Sequence, residues 1–87
     1  MTKIYTYCLF DGHQAFHGVY SSLKAVHRDA IRLCNRGGGH VIMEYGGVGE
    51  IASLTRLRNL LKGVCEVQVK YGMPPHAATI IKTKLKE

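Results

Sequence analysis

The amino-acid sequence predicts an α+β fold: a mainly antiparallel sheet of four to five strands with two helices packed on one face. Two runs with the 3.6-residue apolar period of a helix lie among shorter runs of alternating or β-branched residues, which are typical of strands. Short connections containing Gly, Asp or Pro separate these runs. The predicted order is β-β-α-β-α-β-β in one domain, residues 1–87. We detect no internal repeat in the sequence.

The first two predicted strands form a hairpin. Lys3–Phe10 is rich in β-branched and aromatic residues, and Gln14–Tyr20 returns as its partner. Asp11–His13 is the turn between them, because an Asp-Gly pair tolerates positive φ. Four aromatic side chains of this hairpin are candidate stacking platforms for bases if they are exposed on the sheet: Tyr5, Tyr7, Phe16 and Tyr20.

The first predicted helix is SSLKAVHRDAIRLCNRG, with Ser21 or Ser22 as its N-cap and Gly37 after its end. Its apolar face comprises Leu23, Val26, Ala30, Leu33 and Cys34. On the opposite face four basic residues form a line that we call the basic stripe: Lys24, Arg28, Arg32 and, close to it, Arg36. A solvated helix face and a contact surface for phosphates both explain the stripe.

Histidines are the other polar candidates. His27 lies at the margin of the first helix's apolar face, where a hydrogen bond to a neighbour is the favoured interpretation and a ligand contact the alternative. His13 and His17 flank the hairpin turn and share a face. Surface histidines are the simpler interpretation of that pair, and a transition-metal site is the alternative.

A glycine-rich stretch follows the third predicted strand, His40–Tyr45. Residues 47–52 fit the pattern G-x-G-x-x-A and precede the second predicted helix, Ser53–Gly63, which begins near Ser53 or Gly49. The favoured interpretation is a strand-to-helix corner that requires positive φ. The alternative is a phosphate cradle at the helix start, formed by Gly47 and Gly49, although Glu50 would repel a phosphate there.

The last two predicted strands carry alternating patterns. Val64–Tyr71 alternates apolar and polar residues, which indicates one solvated face. In Ala78–Glu87 the alternation sets Ile81, Thr83 and Leu85 opposite three lysines. Lysines deter edge-to-edge pairing, so this last strand is predicted at an edge of the sheet.

Composition limits the functional classes. The formal net charge is +6, which favours anionic partners. The three cysteines are widely spaced without a C-x-x-C pair, which indicates reduced thiols in the cytoplasm and argues against a structural zinc site. No apolar run approaches the ~20 residues of a membrane span, so no membrane partner is predicted.

The segment Phe16 to Gly37, FHGVYSSLKAVHRDAIRLCNRG, resembles a segment of very small proteins of bacterial viruses. In those proteins a hairpin ending in F-x-G-V-[FY]-S-[ST] runs directly into an amphipathic helix. The resemblance covers about a quarter of the chain and its motif is structural, since Gly18 lets the strand bend and the serines cap the helix. It implies the class of small phage proteins that block host factors or sequester host signalling nucleotides, and it assigns no functional residue.

These observations favour a non-enzymatic binding protein that captures an anionic nucleotide-like ligand or a host protein. Such a protein could act as a phage-type inhibitor of a host defence system. The alternatives are a basic, sequence-tolerant nucleic-acid-binding protein and a small nuclease or toxin-like enzyme. The candidate ligand-binding residues are Lys24, His27, Arg28, Arg32, Gly47 and Gly49. No catalytic residue, metal ligand or cofactor is predicted. The small core and 46% hydrophobic content predict a homo-oligomer, located in the cytoplasm of the host cell if the protein is viral.

Overall fold

The structure is a computed structural model that describes residues 5–34, 41–62, 67–73 and 76–84. Its strands and helices, in chain order, are β1 Tyr5–Asp11, β2 Phe16–Tyr20, α1 Leu23–Cys34, β3 Ile42–Tyr45, β4 Val48–Ile51, α2 Leu54–Leu61, β5 Val67–Met73 and β6 His76–Lys84. The strands form one six-stranded sheet in the order β2-β1-β6-β5-β3-β4. Every neighbouring pair is antiparallel.

The predicted α+β class and the antiparallel sheet are therefore confirmed, but the strand count and the order of elements were wrong. The sheet has six strands rather than four to five, and the order is β-β-α-β-β-α-β-β. The additional strand is β4, which lies inside the glycine-rich stretch.

Both helices cover the same face of the sheet. On the strands, Leu9, Ile80 and Val69 lie in register on β1, β6 and β5, and all three are buried. The helices complete this core with four buried side chains: Val26 and Ala30 from α1, Leu57 and Leu61 from α2. Gln68 and Lys70, which alternate with buried residues on β5, are exposed on the other face. The solvated face predicted for this strand is thus confirmed over its described residues.

The glycine-rich stretch is a hairpin turn and an edge strand, not a strand-to-helix corner. Gly46 and Gly47 have φ of +61° and +86°, the conformation that a two-residue turn between antiparallel strands requires. Tyr45 and Val48 pair on either side of the turn. The two positive φ angles fall on Gly46 and Gly47 rather than on Gly47 and Gly49. The chain therefore reverses directly after β3, and the next residues pair with β3 as strand β4 before the helix begins.

The last strand is central in the sheet, which contradicts its prediction as an edge strand. β6 pairs with β1 on one side and with β5 on the other. Lys82 was predicted on a solvated face, but it is buried on the same face of the sheet as Ile80. Its Nζ donates a hydrogen bond to the carbonyl of Leu61 and lies 4.4 Å from the centre of the Tyr5 ring. The lysine is tolerated because its ammonium group contacts the carbonyl oxygen of Leu61 at the end of α2, where a cation is favourable.

The predicted first hairpin is confirmed, but its turn uses a different residue. Gln14 has φ of +65°, whereas Gly12 is not among the residues with positive φ. The Gln14 N–H donates to the Asp11 carbonyl, and the Asp11 N–H donates to the carbonyl of Ala15. This is a three-residue connection in which the residue after a tight turn is left-handed, a position that glycine usually occupies.

The tyrosines do not form the predicted stacking platforms. Tyr7 and Tyr20 pack against the core on the helix side, and the Tyr5 ring lies next to the buried Lys82. Phe16 alone of the four aromatic candidates is exposed, with its ring centre 5.5 Å from that of Phe10. The helices occupy the face to which the tyrosines of β1 and β2 point.

A hairpin followed by a helix occurs twice in the structure, an internal repeat that the sequence did not disclose. The first unit is β1, β2 and α1, and the second is β3, β4 and α2. The first strands of the two units, β1 and β3, flank the central pair β6 and β5, while β2 and β4 form the two edges. The clearest sequence similarity between the units lies at the helix starts, SLKAV and SLTRL, and is too short to stand out by itself.

Candidate functional site

The basic stripe is placed by the way α1 begins and packs. The side-chain oxygen of Ser22 accepts a hydrogen bond from the N–H of Ala25, so Ser22 is the N-cap and the helix phase is set. Val26 and Ala30 are fully buried against the sheet. The opposite side of the helix must then face solvent, and Lys24, Arg28 and Arg32 are exposed there as predicted. Arg36 lies outside the described residues.

An acidic residue that sequence reasoning missed joins two members of the stripe. Asp29 Oδ1 lies 3.3 Å from Nε of Arg28 and 3.8 Å from Nη1 of Arg32. Its other oxygen, Oδ2, accepts a hydrogen bond of 2.6 Å from the hydroxyl of Tyr20 at the end of β2. The carboxylate is thus fixed from the sheet side, with a hydrogen bond to one guanidinium group and an ion-pair contact to the other. We call Tyr20, Arg28, Asp29 and Arg32 the Asp29 cluster.

The hydrogen bond between Tyr20 and Asp29 favours the charged carboxylate and the neutral phenol. The hydrogen bond from Tyr20, together with the nearby arginines, lowers the pKa of Asp29 below its usual value. The same hydrogen bond to the carboxylate raises the pKa of the Tyr20 hydroxyl. At neutral pH the cluster therefore contains a carboxylate, a neutral phenol and two guanidinium ions.

Helix α2 adds basic residues to the same layer of the molecule. Arg56, Arg58 and Lys62 are exposed. Nη1 of Arg56 lies 2.8 Å from Oε2 of Glu50, so this arginine is paired with the edge strand β4. The described part of the helical layer presents more positive than negative side chains to solvent, so this side of the molecule attracts anions.

His27 makes the hydrogen bond that was the favoured interpretation of its position. Its Nδ1 lies 2.7 Å from the hydroxyl of Tyr71, whose side chain is fully buried, and the two rings meet edge to face. Partial burial lowers the pKa of His27, because it disfavours the charged imidazolium. Binding of a ligand by His27 stays a prediction.

Close packing continues from Tyr71 to the end of α1. The Cys34 thiol donates to the carbonyl of Tyr71 at 3.5 Å, and burial raises the pKa of Cys34 to about 11. Gly72, with φ of +68°, lies directly beneath it: a Cβ there would come within 3.0 Å of the Cys34 sulfur and 2.6 Å of the His76 carbonyl oxygen. Burial disfavours the thiolate that nucleophilic chemistry requires, and Cys34 packs against Tyr71 and Gly72. Cys8 is also a free thiol, and Cys65 lies outside the described residues.

The structure does not bring Gly47 and Gly49 to a helix start. Helix α2 begins at Leu54 and is capped by Ser53, whose side-chain oxygen accepts the N–H of Arg56 at 3.1 Å. Gly47 lies in the hairpin turn and Gly49 in β4, so the free N–H groups at the start of α2 belong to other residues. The predicted cradle geometry is absent, and ligand binding by these two glycines remains without structural support.

The histidines of the first hairpin have a local role. Asp11 Oδ1 accepts the N–H groups of His13 and Ala15, and its Oδ2 lies 3.0 Å from Nε2 of His17. The bond to His17 and those to the turn N–H groups lower the pKa of Asp11 to about 2. Over residues 5–34, 41–62, 67–73 and 76–84, no group of three His, Cys, Asp or Glu side chains is arranged to hold a metal ion.

Two signals in the sequence could have disclosed the Asp29 cluster. Asp29 stands three residues before Arg32, a spacing at which opposite charges meet on a helix. Tyr20 stands just before the helix cap, at the end of a strand that leads directly into α1. The hydrogen bond between Tyr20 and Asp29 depends on the angle between strand and helix, which local sequence does not specify.

The fold and this surface define a small α+β protein with a helical layer rich in exposed cations and a second sheet face that none of the described residues covers. No protein-family model matches the chain, and it has no significant match among curated proteins or solved structures. The resemblance of residues 16–37 to small phage proteins therefore stays a prediction. In the part of the chain that the structure describes, no helix is both long and apolar enough to cross a membrane.

Proposed function

We propose that this chain is a non-enzymatic binding protein that captures an anionic partner through the outer side of α1. The observation that carries the proposal is the position of Lys24, Arg28 and Arg32, which are exposed side by side on a helix whose opposite side is fully buried. Exposed cations on one rigid element attract an anion without a large change in the protein on binding.

The class of partner follows from charge and from the resemblance of residues 16–37. A nucleotide-like ligand or an acidic surface of a host protein fits the net charge of +6. Small phage proteins that block host factors or sequester nucleotides have this type of role, so we propose an inhibitor that binds its partner stoichiometrically in the host cytoplasm.

A nucleic-acid strand is a second candidate partner. Lys24, Arg28 and Arg32 follow one another at intervals of four residues, which is a rise of about 6 Å per step along the helix. A row of cations at regular spacing suits a chain of phosphates, and such binding weakens steeply as salt is added.

Self-association is part of the proposal because several large apolar side chains remain exposed at both ends of the sheet. Phe16 and Val19 on β2 and Ile51 on β4 are each more than half exposed. A native mass spectrum of the purified protein would report its stoichiometry together with any ligand that stays bound.

The test compares two lysines on opposite sides of the molecule. Lys24 lies on α1 and Lys70 on the uncovered sheet face, and both are exposed. Affinity would be measured at about 50 mM salt, where charge contacts are strong, for nucleotides, single-stranded and duplex nucleic acid, and an acidic peptide. Lys24→Ala should weaken binding of the anion by about fivefold, the equivalent of ~1 kcal/mol, and Lys70→Ala by much less.

Each variant has the same loss of charge, so net charge alone predicts equal effects. Equal weakening by Lys24→Ala and Lys70→Ala would contradict the assignment to α1. Failure of the parent protein to bind any of these anions at low salt would contradict the proposed function itself. A strong salt dependence for single-stranded nucleic acid, absent for nucleotides, would favour the second candidate.

A further inference from the structure

The Asp29 cluster contains a feature that a solvated basic face does not need. Asp29 receives a hydrogen bond from another element, because Tyr20 Oη donates to its Oδ2 at 2.6 Å. The second oxygen of the same carboxylate accepts a hydrogen bond from Arg28 Nε at 3.3 Å and lies 3.8 Å from Arg32 Nη1, at ion-pair distance. One fixed carboxylate thus attracts two long side chains that would otherwise sample many rotamers, which reduces the entropy that ligand binding would cost.

The way the arginines are held leaves much of each guanidinium available. Arg28 contacts Asp29 through Nε, so the contact does not use its two terminal nitrogens. Arg32 approaches through Nη1, so its Nε and Nη2 are not used by that contact. The Arg28 and Arg32 side chains are 63% and 73% exposed, so these nitrogens can be reached from solvent. A planar guanidinium can then offer two parallel N–H bonds to one oxyanion.

Charge and shape select the oxyanion. Lys24, Arg28 and Arg32 carry three positive charges and Asp29 one negative charge, a net of +2. A phosphomonoester carries about −1.5 to −2 at neutral pH and has three terminal oxygens that two guanidinium groups can share. A carboxylate carries −1 and its two oxygens are satisfied by one arginine fork.

We propose that Arg28 and Arg32 form a clamp for a phosphomonoester group, and that Asp29 and Tyr20 are positioning residues of this clamp. The proposal rests on the proposed function and names the ligand class at the same surface. Lys24, one turn before Arg28, adds a third positive charge to the site.

Asp29→Asn separates positioning from charge. The substitution removes a negative charge, so if Asp29 acted only by neutralising the arginines, phosphate affinity would rise, by about fivefold at most, the size expected for one charge on this surface. If Asp29 positions both arginines, its loss frees two long side chains and affinity should fall by about five- to tenfold. The two roles predict opposite directions.

Tyr20→Phe tests the anchor without changing any charge. It removes only the hydroxyl that fixes Asp29, and the ring still packs against the core. Affinity for phosphate should fall by about threefold or more. Arg56→Ala is the control, since it breaks the contact between helix and edge strand in the second unit, the ion pair with Glu50, and should leave phosphate affinity nearly unchanged.

The experiment is an isothermal titration of the full chain with inorganic phosphate and, in parallel, with acetate. Thermal unfolding of each variant checks that it is folded. The expected result is binding of phosphate in preference to acetate by the parent, and loss of that preference in both Tyr20→Phe and Asp29→Asn. Titrations with a nucleoside 5′-monophosphate and with a phosphoserine peptide then distinguish the two sources of the group.

Four results would overturn the clamp, and the last of them would leave the proposed function standing. The first is equal affinity of the parent for phosphate and acetate. The second is a rise in phosphate affinity in Asp29→Asn, and the third is an unchanged phosphate preference in a folded Tyr20→Phe protein. Binding of an acidic peptide or a nucleic acid without any binding of phosphomonoesters would refute the clamp and leave the proposed function standing.

Discussion

The two hairpin–helix units begin their helices in the same way and differ in what they expose. Ser22 and Ser53 are both N-caps, and Leu23 and Leu54 follow them. Val26 and Leu57 stand four residues after the caps, and both are fully buried. Beyond this shared start, α1 has 12 residues and α2 only 8.

Each unit also ties its helix to its own edge strand, but by different chemistry. In the first unit the tie is the hydrogen bond from Tyr20 to Asp29, with two arginines on the same carboxylate. In the second unit it is the ion pair between Glu50 and Arg56 at 2.8 Å; like the pairs of Asp29 with the two arginines, it involves exposed side chains and contributes little to stability. Buried positions thus repeat because packing requires it, and the charged cluster belongs to the first unit alone.

The largest expected effect tests the shared part of the comparison. Leu57→Ala should lower the free energy of unfolding by about 2–5 kcal/mol, because it leaves a cavity in the core. Val26→Ala should cost less, since fewer atoms are removed from the equivalent buried position. Denaturant unfolding of both variants measures the two costs. A loss below about 1 kcal/mol for Leu57→Ala would show that α2 is not packed as the second unit requires.

The two hairpin turns should respond in opposite directions to a change at their left-handed residue. Gly47→Ala should destabilise the protein by about 1–2 kcal/mol, through backbone strain alone, because a Cβ at this position meets no atom within 4 Å. Gln14→Gly should stabilise it by about 0.5–1 kcal/mol, since glycine adopts the φ of +65° without strain. Melting temperatures of the two variants check both signs. Destabilisation by Gln14→Gly would mean that the first turn is held in another conformation.

Acid should act on the first unit in two separate steps. The pKa of His27 is lowered in the folded state, so the unfolded chain binds the proton more readily, and stability falls as the pH drops below the ordinary value near 6.5. The pKa of Asp11 is lowered from 3.8 to about 2, so its contribution is present above pH ~4 and is lost as the pH falls toward 2.

His27→Gln is the control for the upper step. The free energy of unfolding would be measured from pH 8 to pH 5 for the parent and for this variant, a window that spans the ordinary histidine pKa of about 6.5. The slope of the parent should be steeper than that of the variant. A steeper slope in His27→Gln would show that the folded state raises the pKa of His27, contrary to its burial against Tyr71.

Local sequence patterns predicted the elements whose signals are complete within a few residues. The caps at Ser22 and Ser53, the buried faces of both helices and the first hairpin follow from side-chain period and capping chemistry. Strand β4 escaped prediction because its four residues, VGEI, contain a glycine and run directly into the helix signal. Its pairing with β3 depends on the turn at Gly46 and Gly47, and Gly47 is also the first residue of the G-x-G-x-x-A pattern.

Features that depend on distant contacts were beyond local patterns. β6 has apolar residues on both alternating faces, Ile80 on one and Ile81 on the other, so period two could not decide which face is buried. Burial of Lys82 needs the carbonyl of Leu61, 21 residues away. The candidate site was predicted as far as Lys24, Arg28 and Arg32, while the carboxylate that organises it was not.

The central claim is that anion binding belongs to the first unit and not to the net charge of the helical layer. The most direct test compares two double variants. The first combines Arg28→Ala and Arg32→Ala, and the second combines Arg56→Ala and Arg58→Ala, so that each removes two positive charges from one helix. Affinity for the anion that the parent binds most tightly would be measured for both at the same salt concentration. The account predicts a loss of about tenfold or more for the first double variant and about threefold or less for the second. Equal losses in two folded proteins would contradict it, because they would mean that only the total charge attracts the anion.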